Sequence, residues 1–317
     1  MDRFTDSENI LINTAKFEDA LELYSALKAD AAERRGYLKG IQIFGSRELV
    51  PAFELQFEIQ MDSEVDRSGR FFSDFFYSNF DNEPDVLRNF SIYRNFAEGL
   101  GVSFNIEWPV ARLPLVKGEF AAYLARVEDY ASLIKARPFG DFVSFSNPIF
   151  PSFQSPDDFG YFLSARLDRE FNILAPEDYR LYGNQVGYYP VQTDVLGDYT
   201  RENLAAENAA GIMEFIISSH GQWNNIDQVI FESSDADSEK RVSFLNIDNI
   251  NDVLSANYYN LNLWTCNNGY RISSGNLVHE AMANGLCISA FAATTILSNN
   301  GTNNRAALAE MQENNMF

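Results

Sequence analysis

The sequence holds little cysteine and little histidine, two of each in 317 residues. That excludes a disulfide framework and a Cys/His zinc site. It also confines any thiol or imidazole chemistry to Cys266, Cys287, His220 and His279. Basic residues are scarce as well, 24 Lys and Arg against 45 Asp and Glu, for a net charge of -21. An acidic surface repels phosphate backbones, so nucleic acid is not an expected partner, whereas basic peptides and proteins are. No apolar run approaches the roughly 20 residues that cross a bilayer, so no membrane span is expected. Residues 1–9 are polar and lack the basic-then-apolar layout of a signal peptide. The compartment stays open: cytoplasmic if the chain is complete, extracellular or cell-surface if it is a trimmed form of an exported protein. Apolar and aromatic residues, by contrast, are abundant. A hydrophobic content of 46%, with 27 Phe, supports a large buried core and excludes a disordered chain.

Short apolar runs predict strands at 9–14, 41–44, 142–145, 212–217, 259–265 and 286–292. Phe17, Leu21, Tyr24 and Leu27 recur at helical spacing and predict a helix from Phe17 to about Arg35. Phe120, Leu124, Val127 and Ala131 do the same over 117–135. Further helices are expected at 157–170, 201–210, 248–255, 274–284 and 302–313. Alternation of Phe53, Leu55, Phe57 and Ile59 predicts a β excursion between Pro51 and Tyr77, broken by a charged loop at 62–70 that contains Gly69. Residues 181–199 read as a Tyr- and Gly-rich connection, and 222–245 as a polar excursion. Strands alternating with helices imply an α/β fold with a mostly parallel sheet flanked by helices on both faces. No internal repeat and no linker divides the chain.

Two strand ends carry reactive side chains. One is Glu214-Phe215-Ile216-Ile217-Ser218-Ser219-His220-Gly221, the other Leu261-Asn262-Leu263-Trp264-Thr265-Cys266-Asn267-Asn268-Gly269. Open α/β sheets bind ligands at the carboxyl ends of their strands, so neighbouring strands would bring His220 and Cys266 to one rim. A free thiol is only a few per cent thiolate at neutral pH, and an adjacent imidazole can take its proton. The backbone N–H groups of Gly221 and Cys266 are natural donors to an oxyanion. The separation of the pair is close to the roughly 50 residues seen in caspases. Cys287 lies inside an apolar run and His279 on the 274–284 helix, where structural roles are expected.

With these motifs the chain resembles the gingipain-type cysteine peptidases of the caspase-like clan. Gly45-Ser46 through Val50-Pro51 is similar to a strand-Gly-Asp stretch of that family, with Ser46 in place of the Asp. Ser73-Asp74-Phe75-Phe76-Tyr77 resembles its Ser-Asp-x-x-Tyr segment, and Val110-Ala111-Arg112-Leu113-Pro114 its Val-Gly-Arg-Ile-Pro segment. Ser219-His220-Gly221 stands for Gly-His-Gly, and Cys266-Asn267-Asn268-Gly269 for Cys-x-Asn-Gly. Glu280-Ala281, Gly285 and Ala290 to Thr295 follow in the expected order.

The resemblance implies a single caspase-like peptidase domain over 1–317, with a smaller N-terminal half of about 1–135 and a catalytic half of about 136–317. It implies a cysteine endopeptidase acting through a Cys266–His220 dyad and a covalent thioester, with Gly221 and Cys266 N–H as the oxyanion hole. Cleavage after Arg or Lys is expected, consistent with the acidic charge balance. Trp223, Thr294, Thr295 and Ser298 fall where caspase-like pockets are walled. No single histidine-orienting carboxylate stands out among Asp141, Asp157, Asp158 and Asp168. The segment 233–241, ending in Lys240-Arg241, is a candidate self-cleavage loop. No cofactor and no catalytic metal are expected; relatives bind structural calcium, but no Asp-rich loop of metal-ligand spacing occurs here. Two alternatives use the same rim, a catalytically inactive binding module and an acyl transferase.

Overall fold

The computed structural model describes residues 17–34, 38–61, 65–88, 101–103, 105–136, 142–146, 179–182, 195–197, 199–231, 239–269 and 274–293. The chain gathers into two compact units, Met1–Lys117 with Arg271–Ser273, and Gly118–Tyr270 with Ser274–Phe317. The strand expected at 9–14 and the helices expected at 157–170 and 302–313 lie outside the described residues.

The first unit contains α1 (Ala20–Arg34), β1 (Ile41–Phe44), β2 (Phe53–Met61), β3 (Val65–Ser73), α2 (Pro84–Leu87) and β4 (Val110–Leu113). Helix α1 starts where the Asp19 carboxylate accepts the Glu22 N–H at 2.8 Å and Glu22 reaches back to the Glu18 N–H. Its buried face, Ala20, Leu23, Tyr24 and Ala31, joins Phe53, Phe76, Tyr77, Phe80 and Trp108 in an aromatic core. The rings of Phe53 and Phe76 meet edge-on, with centroids 5.3 Å apart.

Strands β2 and β3 form an unbroken antiparallel ladder from Phe53↔Ser73 to Met61↔Val65. This corrects the expected loop at 62–70. Residues 65–70 are strand, and Gly69 pairs with Phe57. Charges along a run say where side chains meet water, not whether the backbone ladder forms.

Strands β1 and β4 pair in parallel, although Pro109 and Pro114 obscure β4 in the sequence. At their carboxyl ends Arg112 sends Nε and Nη2 to the two oxygens of Asp74, both at 2.6 Å. Its Nη1 donates to the carbonyls of Gly45 and Val50, each at 2.9 Å. A buried guanidinium with its donors used in this way ties three irregular segments together. Ser46 is fully buried in the same turn. Its carbonyl accepts from Leu49 and Val50 N–H, and its hydroxyl has no partner among the described residues.

The second unit contains α3 (Phe120–Ala136), β5 (Phe142–Ser146), β6 (Tyr179–Tyr182), β7 (Val195–Gly197), α4 (Arg201–Ala209), β8 (Glu214–Ser218), β9 (His220–Gln222), β10 (Asn225–Phe231), β11 (Glu239–Asn246), α5 (Ile250–Val253), β12 (Tyr259–Trp264), α6 (Leu277–Ala283) and β13 (Cys287–Ala292). Six strands in the order β13-β12-β8-β5-β6-β7 form one sheet in which every pairing is parallel. Phe215, Ile216 and Ile217 of β8 are completely buried, as expected of a central strand covered on both faces. From α3, the Tyr123 hydroxyl donates to the Ile288 carbonyl of β13 at 2.6 Å.

The segment expected as a polar excursion at 222–245 is instead a three-stranded antiparallel sheet, β11-β10-β9. Ile226, Phe244 and Leu245 are buried in it, and so is Asp227. Phe244 packs against Tyr199, with ring centroids 4.2 Å apart. No helix among the described residues is long and apolar enough to cross a membrane.

Candidate active site

Strands β8 and β12 are parallel neighbours, with Trp264 opposite Ser218. Each chain continues two residues past that last pair, to His220 and to Cys266. The sheet therefore delivers imidazole and thiol from adjacent strands at the same end. Both residues are half-buried, and Cys266 is not in a disulfide. His220 also opens β9, so the chain passes from the parallel sheet to the antiparallel one at buried Ser219. The Ser219 hydroxyl donates to the Asp227 carbonyl of β10.

The loops after the two strands touch through their backbones. A Cβ on Gly221 would lie 2.8 Å from the Cys266 carbonyl oxygen, 2.8 Å from Thr265 Cβ and 3.0 Å from Asn268 Oδ1. Only glycine permits that approach. Asn268 is fully buried. Its amide donates to the carbonyls of Gln222 at 2.6 Å and Asn225 at 3.1 Å, and its oxygen accepts from the Thr265 hydroxyl. One side chain of the thiol loop thus fastens both ends of the turn between β9 and β10. Next to Cys266, Asn267 takes φ 61, the one positive φ outside glycine among the described residues. This left-handed residue turns the chain sharply just after the thiol. Gly269 N–H then donates to the Ala293 carbonyl at 2.9 Å, anchoring the loop beyond the end of β13.

Asp227 lies directly across the β9–β10 ladder from His220. Burial raises its carboxyl above the ordinary Asp range, while Arg241, His220 and a hydrogen bond from Asn225 pull it back down. The remaining cysteine and histidine play no part in this arrangement. The Cys287 thiol is buried in β13, raised far above its ordinary range by desolvation, and contacts the Ser289 carbonyl at 3.2 Å. On α6, His279 is buried, with Nε2 3.1 Å from Glu119 Oε2 and Nδ1 accepting the Gly275 N–H.

A polar cluster occupies the opposite end of the same strands. Asn260 of β12 donates to Glu214 Oε1 of β8 at 2.5 Å and to the Tyr130 hydroxyl at 2.7 Å, and it accepts from Ser289 at 2.7 Å. Desolvation pushes the Glu214 carboxyl up to about 7, against the lowering effect of the Asn260 bond.

Among the expected pocket residues, Trp223 is exposed, and its carbonyl accepts the Leu277 N–H at 2.9 Å. Thr294, Thr295 and Ser298 lie outside the described residues, as do Asp141, Asp157, Asp158 and Asp168. Lys240 and Arg241 sit within β11, opposite Ile230 and Val229, and the rest of 233–238 is outside the described residues. No group of three or more His, Cys, Asp or Glu among the described residues is placed to hold a metal ion. Nothing local in the sequence singles out the hydroxyl of Thr265 or the carboxylate of Asp227. Asn268 stood inside the Cys-x-Asn-Gly pattern, where a lone amide between turn residues was the available signal.

No family model matches this sequence, and no curated protein matches it. Solved structures do. The complex of Porphyromonas gingivalis RgpB pro- and mature domains superposes with a TM-score of 0.57 at 11% identity, covering 96% of this chain and 61% of that one. The Arg-specific cysteine proteinase gingipain R superposes with a TM-score of 0.54 at 12% identity, covering 95% of this chain and 60% of that one. The chain therefore spans about three fifths of the length of these structures. At such identity the likeness concerns the fold, which is gingipain-like and caspase-like, as the motifs implied.

Proposed function

We propose that the protein is a cysteine endopeptidase that cleaves after Arg or Lys. The observation that supports this most is the delivery of His220 and Cys266 by adjacent parallel strands to loops in backbone contact. In this reading His220 takes the Cys266 proton, and the thiolate sulfur attacks the scissile carbonyl carbon. The resulting oxyanion is met by the N–H groups of Gly221 and Cys266, on a backbone already fixed by Asn268. Collapse of the tetrahedral adduct breaks the C–N bond. His220 returns its proton to the departing amine, leaving a Cys266 thioester. Water attacks that thioester, gives its proton to His220, and releases the carboxylic acid and the free thiol.

The basic preference rests on the charge of -21 and on the Arg specificity named for one of the structural neighbours. The substrate is a peptide or protein, and exposed Trp223, three residues past His220, is a contact for it.

The test is hydrolysis of fluorogenic peptides ending in Arg or Lys by wild type and Cys266→Ala. Loss of at least about 10³-fold in kcat/KM is expected, and unchanged hydrolysis by the variant overturns the assignment. Stoichiometric labelling of Cys266, but not Cys287, by a basic peptidyl electrophile separates this reading from an inactive binding module.

A further inference from the structure

We propose that Asp227 is the positioning residue for His220, a carboxylate supplied from β10 on the downstream side of the histidine. The inference rests on His220 being the general base. Its basis is the register. Residues directly opposite in an antiparallel pair carry their side chains on the same face, with Cβ atoms about 4.5–5.5 Å apart. Asp227 and His220 are such a pair. The next strand adds a third member. Asp227 faces Ser243, and Val229 faces Arg241, so Arg241 stands one diagonal step from Asp227 on that same face.

The three strands thus place imidazole, carboxylate and guanidinium in a row, with the carboxylate in the middle and the most buried of the three. A carboxylate that is 7% exposed is costly unless charges and donors face it. The groups facing Asp227 are His220 from β9, Arg241 and Ser243 from β11, the Asn225 amide on its own strand, and the Tyr199 hydroxyl beside Ser219. Two of these are cationic or become so. When Cys266 gives up its proton, the new imidazolium meets a negative charge already in place, and the thiolate–imidazolium pair gains population. Asp227 itself neither gains nor loses a proton in this step.

This arrangement also gives Arg241 a task other than marking a cleavage point. From the strand facing Asp227, it opposes the upward push that burial gives the carboxyl.

The experiment follows the His220 ring by NMR across pH, assigning its signal by its loss in His220→Gln. Asp227→Asn keeps an acceptor for the Asn225 amide and removes only the charge. The ring titration should then fall by about one unit, with kcat about 10- to 100-fold lower and KM little changed. Asp227→Glu should restore the titration. In wild type, the ring signal should show a second inflection at acid pH as Asp227 protonates, a readout that needs no variant to fold. A ring titration unmoved in Asp227→Asn, or a single inflection in wild type, overturns the proposal, because a purely structural Asp227 would alter stability alone. These ring measurements do not depend on turnover. Failure of the Cys266→Ala assay with an intact ring shift would therefore sink the peptidase reading and leave the Asp227–His220 coupling standing.

Discussion

In the first unit the backbone leaving β1 is held by a charge. Arg112 spends its donors on Asp74, Gly45 and Val50, and its side chain is only 5% exposed. In the second unit the backbone leaving β8 and β12 is held by a neutral amide, Asn268, fastened to Gln222, Asn225 and Thr265. Both devices secure irregular chain at the carboxyl end of a parallel pair. A full charge fastens more firmly, but in a desolvated place it also biases every nearby titration. An amide fixes the loop and leaves the local field to the thiol, the imidazole and Asp227. The charged clamp sits in the unit that holds neither His220 nor Cys266, the neutral one next to both.

Arg112→Ala breaks this comparison most severely. It leaves a half-buried Asp74 without its counter-charge, and should lower the stability of the first unit by about 3 kcal/mol in urea unfolding. Arg112→Met combined with Asp74→Leu should recover much of that loss, since no charge is then stranded. Asn268→Ala strands the carbonyls of Gln222 and Asn225 and should cost about 1–3 kcal/mol. Peptide hydrolysis should fall further than that stability loss explains, because the turn carrying Gly221 comes loose. Equal loss of activity from Arg112→Met with Asp74→Leu would show that the neutral clamp has no special bearing on the site.

Glu214 sharpens the comparison at the other end of the same strands. Its folded value is raised to about 7 from an ordinary 4.5, so the native state holds a proton that the unfolded chain has lost. Stability should therefore decline as pH rises between these two values, by roughly 2–3 kcal/mol after allowing for the partial exposure of the residue. Glu214→Gln should flatten that slope in thermal unfolding measured from pH 4.5 to pH 8.

Four strands of the parallel sheet, β5, β8, β12 and β13, were legible because they are short apolar runs such as Phe215-Ile216-Ile217 and Leu261 to Leu263. Strands β6 and β7 correct the connection expected at 181–199, where strands of four and three residues are too short to show a pattern. The β9–β11 sheet was not legible. Its buried residues come as adjacent pairs, Ile226-Asp227 and Phe244-Leu245, rather than in alternation, and Asp227, Gln228, Lys240 and Arg241 dilute the apolar signal below that of a loop. Strand β4 was hidden by the prolines on either side of it, which end a strand as readily as they exclude one. At the site, the pairing of two strand ends could be anticipated from His220 and Cys266. Asp227 could not, because its place opposite His220 is set by a hairpin register that no local pattern announces. Ser46 is the opposite case. The departure from the family pattern was visible, and the structure accommodates it by backbone hydrogen bonds in which the hydroxyl takes no part.

The crossing at Ser219 has a dynamic consequence. Strand β8 lies in the middle of six strands, so its amides should exchange with solvent only when the whole unit opens. Strand β9 is three residues long and, among the described residues, ladders with β10 alone, with the Asn268 amide on Gln222 as a further tie. It should open at a far lower free energy. The imidazole can thus swing out of register by the peeling of a small hairpin while β8 and its neighbour β12, which delivers the sulfur, stay intact as interior strands. A ligand that grips both would reveal itself first as slowed deuterium uptake in residues 220–227.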